Sequence, residues 1–198
     1  MRRSRACATA PPREPRDGAA RSAPGRPRRR RRARPLPRGA RLAVDVGSVR
    51  VGLAASDPDG LVATPVETLA RVTASGAAVP ADVARIASEV AERAAGVVYV
   101  GLPRHLSGSE GAAALEARAY AGTVARAVAP VPVHLVDERM TTVSAHQALH
   151  AAGRKGRKHR SVVDQAAAVI ILQTALDAER GAGARAGEPV DPTGDQRP

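Results

Sequence analysis

The stretch RLAVDVGSVRVGLAASD, residues 41–57, decides how the rest of the chain is read. Val44, Val46, Val51, Leu53 and Ala55 are strand formers, and Gly47-Ser48 interrupts them with a turn. The pattern predicts strands over 41–46 and 50–56 joined by a tight connection. Asp45 is the anomaly: a carboxylate between two valines, where burial disfavours charge. A carboxylate in such a place needs either a turn to cap or a cation to hold.

Outward from this hairpin the elements follow in order. Asp57-Pro58-Asp59-Gly60 is a turn signal, and 61–69 reads as a third strand. Three strands joined this closely form an antiparallel meander. Residues 81–95 place Val83, Ile86, Ala87 and Val90 at helical spacing. VVYVG at 97–101 is a short apolar run, as expected of a strand covered on both faces. A helix over about 110–128, a strand at 131–136 and helices over about 141–151 and 162–179 complete the pattern. A meander followed by alternating helices and strands implies an α/β domain, a mixed sheet with helices on both faces.

The chain has 198 residues, enough for one ordinary domain with tails. We expect a disordered Arg/Pro-rich tail over 1–39, a folded domain over 40–180 and a disordered Gly/Pro-rich tail over 181–198. The net charge of +12 divides unevenly. Residues 1–39 carry 14 Arg against Glu14 and Asp17, whereas residues 40–198 carry 17 Lys and Arg against 17 Asp and Glu. All the net basicity therefore sits in the first segment, where it is either a non-specific clamp on nucleic-acid phosphates or a solvated tail.

Composition also excludes. With no Phe, no Trp and two Tyr, the chain lacks residues for a platform that stacks bases. The single cysteine, Cys7, rules out an intramolecular disulfide and a Cys-based zinc cage. No apolar stretch approaches the roughly 20 residues that span a bilayer.

Chemistry-bearing residues gather at element ends: Asp45, the loop from Gly101 to Glu110, Asp137-Glu138-Arg139 after the fifth strand, and Ser161-Val-Val-Asp164 at the last helix. Ends of neighbouring strands in an open α/β sheet form the usual ligand crevice. If the first and fifth strands are adjacent, Asp45 meets Asp137 and Glu138, and a helix packed across that edge adds Asp164. Such carboxylates repel one another unless cations lie between them, and hard ions such as Mg²⁺ or Mn²⁺ take oxygen ligands of this kind. Paired ions of this type activate water and stabilise the leaving oxygen in phosphodiester hydrolysis.

Each residue also has a structural reading. Asp45 can form an Asx turn, Ser161-x-x-Asp164 matches a capping box, and Asp137-Glu138-Arg139 can be a solvated turn with Arg139 paired to its neighbour. Glu110 reads most simply as an acid in a first helical turn, and His134 as structural. Arg154, Lys155, Arg157, Lys158 and Arg160 form a basic run beside Asp164 that suits phosphate-backbone contact.

Four stretches, AVDVGSVRVGLAASDPDG, VVYVGLPRHLSGSEG, VHLVDERMTTVSAHQAL and VVDQAAAVIILQTALD, occur in the order of the YqgF family, which the chain resembles over about 41–179. These are RNase H-fold proteins assigned to pre-16S rRNA processing and also to Holliday junction resolution. The resemblance implies an RNase H-like five-stranded sheet, three antiparallel strands then two parallel. It also implies a cytoplasmic, metal-dependent endonuclease that matures the 5′ end of small-subunit rRNA. Asp45, Glu138 and Asp164 take the catalytic and metal-binding positions, with Asp137 assisting, and Mg²⁺ or Mn²⁺ is the implied cofactor. One departure is visible: the fourth strand, VVYVGLP, has no carboxylate where many RNase H-like nucleases place one.

Three rivals stay open at this stage. A junction resolvase acting on four-way DNA would keep the site and favour a homodimer with opposed sites. A weakly catalytic RNA- or ribosome-binding module would keep only the fold. An actin-like kinase shares the DxG hairpin but needs a second domain and a glycine-rich nucleotide loop that residues 40–180 do not supply.

Overall fold

The computed structural model describes residues 36–73, 79–140 and 159–193, with side chains described at all of these except 140 and 159–165. They all belong to the second of two units, Ala33–Pro198. The basic run 154–158 and the expected helix at 141–151 lie outside the described residues, as does most of the Arg/Pro-rich segment.

Strands β1 (Arg41–Val46), β2 (Arg50–Ser56) and β3 (Ala63–Ala70) form the expected antiparallel meander. Helix α1 (Ala81–Glu92), β4 (Val97–Leu102), α2 (Ala112–Val128) and β5 (Val133–Asp137) follow, then a one-turn 3-10 helix at Glu138–Met140 and helix α3 (His159–Ala182). Strand β4 runs parallel to both β1 and β5. The sheet order is β3-β2-β1-β4-β5-β6, where β6 is the two-residue strand Glu188–Pro189.

Two expectations are corrected here. The first and fifth strands are not neighbours, because β4 lies between them. The second concerns residues 181–193, which are structured rather than a disordered tail. Helix α3 continues to Ala182, β6 pairs antiparallel with β5, and Val190 is buried in the core. Gly187 makes this return possible. It adopts φ +75°, and a Cβ there would lie 2.1 Å from the Leu135 carbonyl oxygen, so only glycine fits. The surrounding Gly/Pro composition hides one buried valine.

The sheet is covered on both faces. Leu42, Val44, Val98, Val100 and Leu135 pack with Val83 and Ile86 of α1 and Val124 of α2. On the other face Ala43, Ala54, Val97, Tyr99 and Val136 meet Ala168, Ile171, Leu172, Ala175 and Leu176 of α3. The alanines on both sides let α3 lie close to the sheet. Tyr99 is fully buried and donates its hydroxyl to Glu179, which also accepts from Arg41 Nε at 3.2 Å and Arg185 Nη1 at 2.7 Å. The other tyrosine, Tyr120, is buried as well and donates to Asp82 at 2.9 Å, so neither ring offers a stacking surface.

Candidate active site

Strand alternation fixes which residues face α3. Ala43 on β1 and Val97 and Tyr99 on β4 do so, while their neighbours Val44, Val98 and Val100 face α1 and α2. One step further along each strand, Asp45 and Gly101 fall on the α3 face. The parallel register pairs Val44 with Val100, so Asp45 and Gly101 lie side by side where the two strands end.

Glu138 reaches this point from β5. The strand ends at Asp137, and the 3-10 turn brings the Glu138 carboxylate back over β4. A Cβ at Gly101 would lie 2.3 Å from Glu138 Oε1, 3.2 Å from its Cδ and 2.7 Å from Ile171 Cδ1. The Glu138 carboxylate therefore occupies the space that any side chain at 101 would take. Carboxylates from β1 and β5 meet across an intervening strand because that strand carries no side chain at the crossing.

Electrostatics agree with this proximity. Burial, followed by the negative charges of Asp45 and Asp137, pushes the Glu138 carboxyl up to about 7. Asp45 and Glu138 are both half-buried, and both are acceptor-only oxygen donors when ionised. Two half-buried carboxylates, one of which raises the proton affinity of the other, form a donor set suited to a hard divalent cation. Among the described residues no group of three or more His, Cys, Asp or Glu gathers as a metal cage.

Asp164 lies on α3, four residues before the buried Ala168. Its side chain is outside the described residues. Because α3 already runs from His159, Ser161 and Asp164 sit within the helix, and the capping-box reading of Ser161 does not hold. Arg160 lies in the same first turn, and its side chain is likewise not described.

Asp137 behaves differently from Glu138. Arg139 donates its backbone N–H to Asp137 Oδ1 at 2.9 Å, its Nε to Oδ1 at 3.0 Å and its Nη2 to Oδ2 at 2.6 Å. Arg104 Nη1 lies 3.7 Å from Oδ2. The Arg139 hydrogen bonds hold the Asp137 carboxyl below its ordinary range. The pairing of Arg139 with its neighbour was legible in the sequence. The wider basic cluster was not. Arg104 and Arg118 both donate to Glu110, at 2.6 Å and 2.7 Å, and Arg118 also donates to Glu188 of β6 at 3.0 Å. Glu110 precedes α2 rather than opening it, and the Arg118 and Arg104 hydrogen bonds lower its carboxyl to about 2. Gly101 was read as the end of the fourth strand and the start of the loop after it; alternation from Tyr99 was the signal that places it beside Asp45. His134 is half-buried, edge-on to Tyr99 with ring centroids 6.1 Å apart, as a structural histidine should be.

A mixed sheet flanked by helices, with carboxylates converging at the ends of β1 and β5, defines an RNase H-like α/β protein with a candidate metal site. Residues 39–178 match the family model described as "RuvX: Holliday junction resolvase", and the chain belongs to that family. It is 56% identical over 154 residues to a Streptomyces avermitilis protein named "Putative pre-16S rRNA nuclease", covering 78% of this chain and 96% of that one. A Kineococcus radiotolerans protein of the same name is 60% identical over 142 residues, covering 72% and 73%. Among solved structures, Thermus thermophilus RuvC in complex with Holliday junction substrate shares the fold at a TM-score of 0.50 and 18% identity, covering 74% of this chain and 98% of that one.

Proposed function

We propose that this protein is a divalent-metal-dependent endonuclease that hydrolyses phosphodiester bonds in structured nucleic acid, with precursor 16S rRNA as its substrate and the cytoplasm as its place of action. The observation that carries the proposal is the meeting of Asp45 and Glu138 across Gly101 at the strand ends. Its relatives' names support the choice of pre-16S rRNA.

Asp45 and Glu138 would hold Mg²⁺ or Mn²⁺, with Asp164 completing the set from α3. Bound there, the cation supplies Lewis-acid activation of a water and charge neutralisation at the phosphate. The protein's own part is positional. Asp45 is fixed by the β1 ladder, and Glu138 by the 3-10 turn and by its fit over Gly101. Asp137 holds the Arg139 guanidinium beside the strand ends, where a cation suits a polyanionic backbone. The basic residues Arg154, Lys155, Arg157, Lys158 and Arg160 extend that grip along the nucleic acid.

A second reading keeps the same site and takes a four-way DNA junction as substrate, through a homodimer. The shared fold with RuvC and the family description favour it. Labelled precursor rRNA 5′ leader and a synthetic four-way junction, each offered with Mg²⁺, Mn²⁺ or EDTA, separate the two. We expect metal-dependent cleavage of the leader that is lost in Asp45→Asn. Cleavage of the junction alone would establish the second reading. Binding without cleavage of either polymer, unchanged in Asp45→Asn, would replace both with a binding module.

A further inference from the structure

Gly101 has a role that its place near the end of strand β4 does not by itself suggest. Every other residue of β4 from Val97 to Leu102 projects a side chain into a packed face, and all of them are buried. Position 101 faces α3, where the pattern of Val97 and Tyr99 calls for another side chain. That space is filled instead by Glu138, whose Oε1 would be 2.3 Å from a Cβ at 101. Real Cβ atoms do not come that close to an oxygen, and the next-nearest atom, Ile171 Cδ1 at 2.7 Å, closes the slot from the α3 side. The carboxylate thus has a floor of β4 backbone, a wall of Ile171 and Asp45 as its electrostatic neighbour.

We infer that Gly101 is a positioning residue for the proposed nuclease site: its missing side chain is the slot that seats the Glu138 carboxylate against Asp45. This rests on the metal-dependent reading given above and deepens it. The lack of a carboxylate on the fourth strand follows directly. A side chain of any kind at 101 would displace the carboxylate that β5 delivers there, so the β4 position and Glu138 are alternative occupants of one space. The strain a side chain would meet at 101 is one of contact, since the backbone at Gly101 is ordinary strand.

A substitution cycle with two readouts tests this. The first readout is Mn²⁺ affinity by calorimetry on the intact chain; the second is metal-dependent cleavage of the labelled leader. Gly101→Ala moves the Glu138 carboxylate by an ångström or more, and misplacement on that scale costs about 100-fold in cleavage. We expect Mn²⁺ affinity to fall in parallel. Glu138→Asp withdraws the carboxylate by one methylene and lowers both readouts, but Gly101→Ala added to Glu138→Asp should then cost less than about threefold, a strongly non-additive cycle. Gly101→Ala also presses on Ile171. Gly101→Ala with Ile171→Val removes that contact, keeps the chain folded as judged by thermal unfolding, and should leave the Mn²⁺ defect in place. Restoration of both readouts by Ile171→Val would overturn the inference in favour of simple crowding under α3. Additive losses, or wild-type Mn²⁺ affinity in Gly101→Ala, would overturn it too. If the wild-type chain binds Mn²⁺ with this cycle intact yet cuts no nucleic acid, the nuclease reading fails while the slot stands.

Discussion

At the scale of single residues, Glu138 is the group whose chemistry is most altered by its surroundings. Its carboxyl is held at about 7, against 4.5 for a free side chain, by burial and by Asp45 and Asp137. The folded state therefore binds this proton more tightly than the unfolded chain does. In the metal-free protein the associated stability is present below about pH 4.5 and is lost as pH rises to about 7, by up to roughly 3 kcal/mol. Glu138→Gln cannot ionise, so metal-free Glu138→Gln should be more stable than wild type at about pH 8 and nearly equal to it at about pH 4. Denaturant unfolding at the two pH values checks this; parallel stabilities for both proteins would contradict it. Mn²⁺ should stabilise the wild type more at the higher pH and have little effect on the variant, because a ligand that binds only the folded state raises its stability by mass action. Asp45 was legible in the sequence because a carboxylate between two strand-forming valines has few structural uses. Gly101 was not, because its importance lies in what occupies the space it leaves.

At the scale of elements, strands β4 and β6 carry the lessons. The order β1-β4-β5 separates the two carboxylate-bearing strands, and sequence adjacency of motifs could not reveal which strand lay between them. Alternation did fix the faces: it groups Asp45, Gly101 and Val136 on one side and Asp137 with Leu135 on the other. The return strand β6 was hidden because glycine and proline dominate residues 181–192, yet Gly187 and Val190 tie that segment to β5. Gly187→Ala places a Cβ against the Leu135 carbonyl and forces a positive φ on alanine, so a loss of about 2 kcal/mol or more is expected. Thermal unfolding measures it, and a variant as stable as wild type would show that β6 contributes little. Arg118, donating to both Glu110 and Glu188, links α2 to this strand and to the loop after β4. Arg118→Ala should loosen the loop after β4, read as faster amide exchange over 104–110 with the strands unchanged.

At the scale of the whole molecule, charge divides the chain more sharply than any motif does. Residues 40–198 are formally neutral, and residues 1–39 hold all the net +12. The candidate site with its Arg104 and Arg139 therefore lies within a balanced domain, and we propose that long-range attraction to a polyanion falls to the first segment. A chain lacking residues 1–39 should bind nucleic acid more weakly with a flatter salt dependence, while its metal-dependent cleavage at saturating substrate is unchanged. An unchanged salt slope would assign the attraction to 154–160 instead. The mixed α/β class and the meander were legible because apolar periodicity and turn signals agree along 41–136, whereas the two parallel strands were implied by the family resemblance. The residues that bring the site together were less so, since they depend on a crossing over β4 that no local pattern encodes.

In the proposed site, carboxylates from β1 and from the turn after β5 share one cation across Gly101. Crystals of the protein soaked in Mn²⁺ and measured for anomalous scattering test it most directly. A peak between the Asp45 and Glu138 carboxylates is expected, absent in Asp45→Asn. A peak on Asp137, or none between Asp45 and Glu138 under conditions that support cleavage, would contradict it.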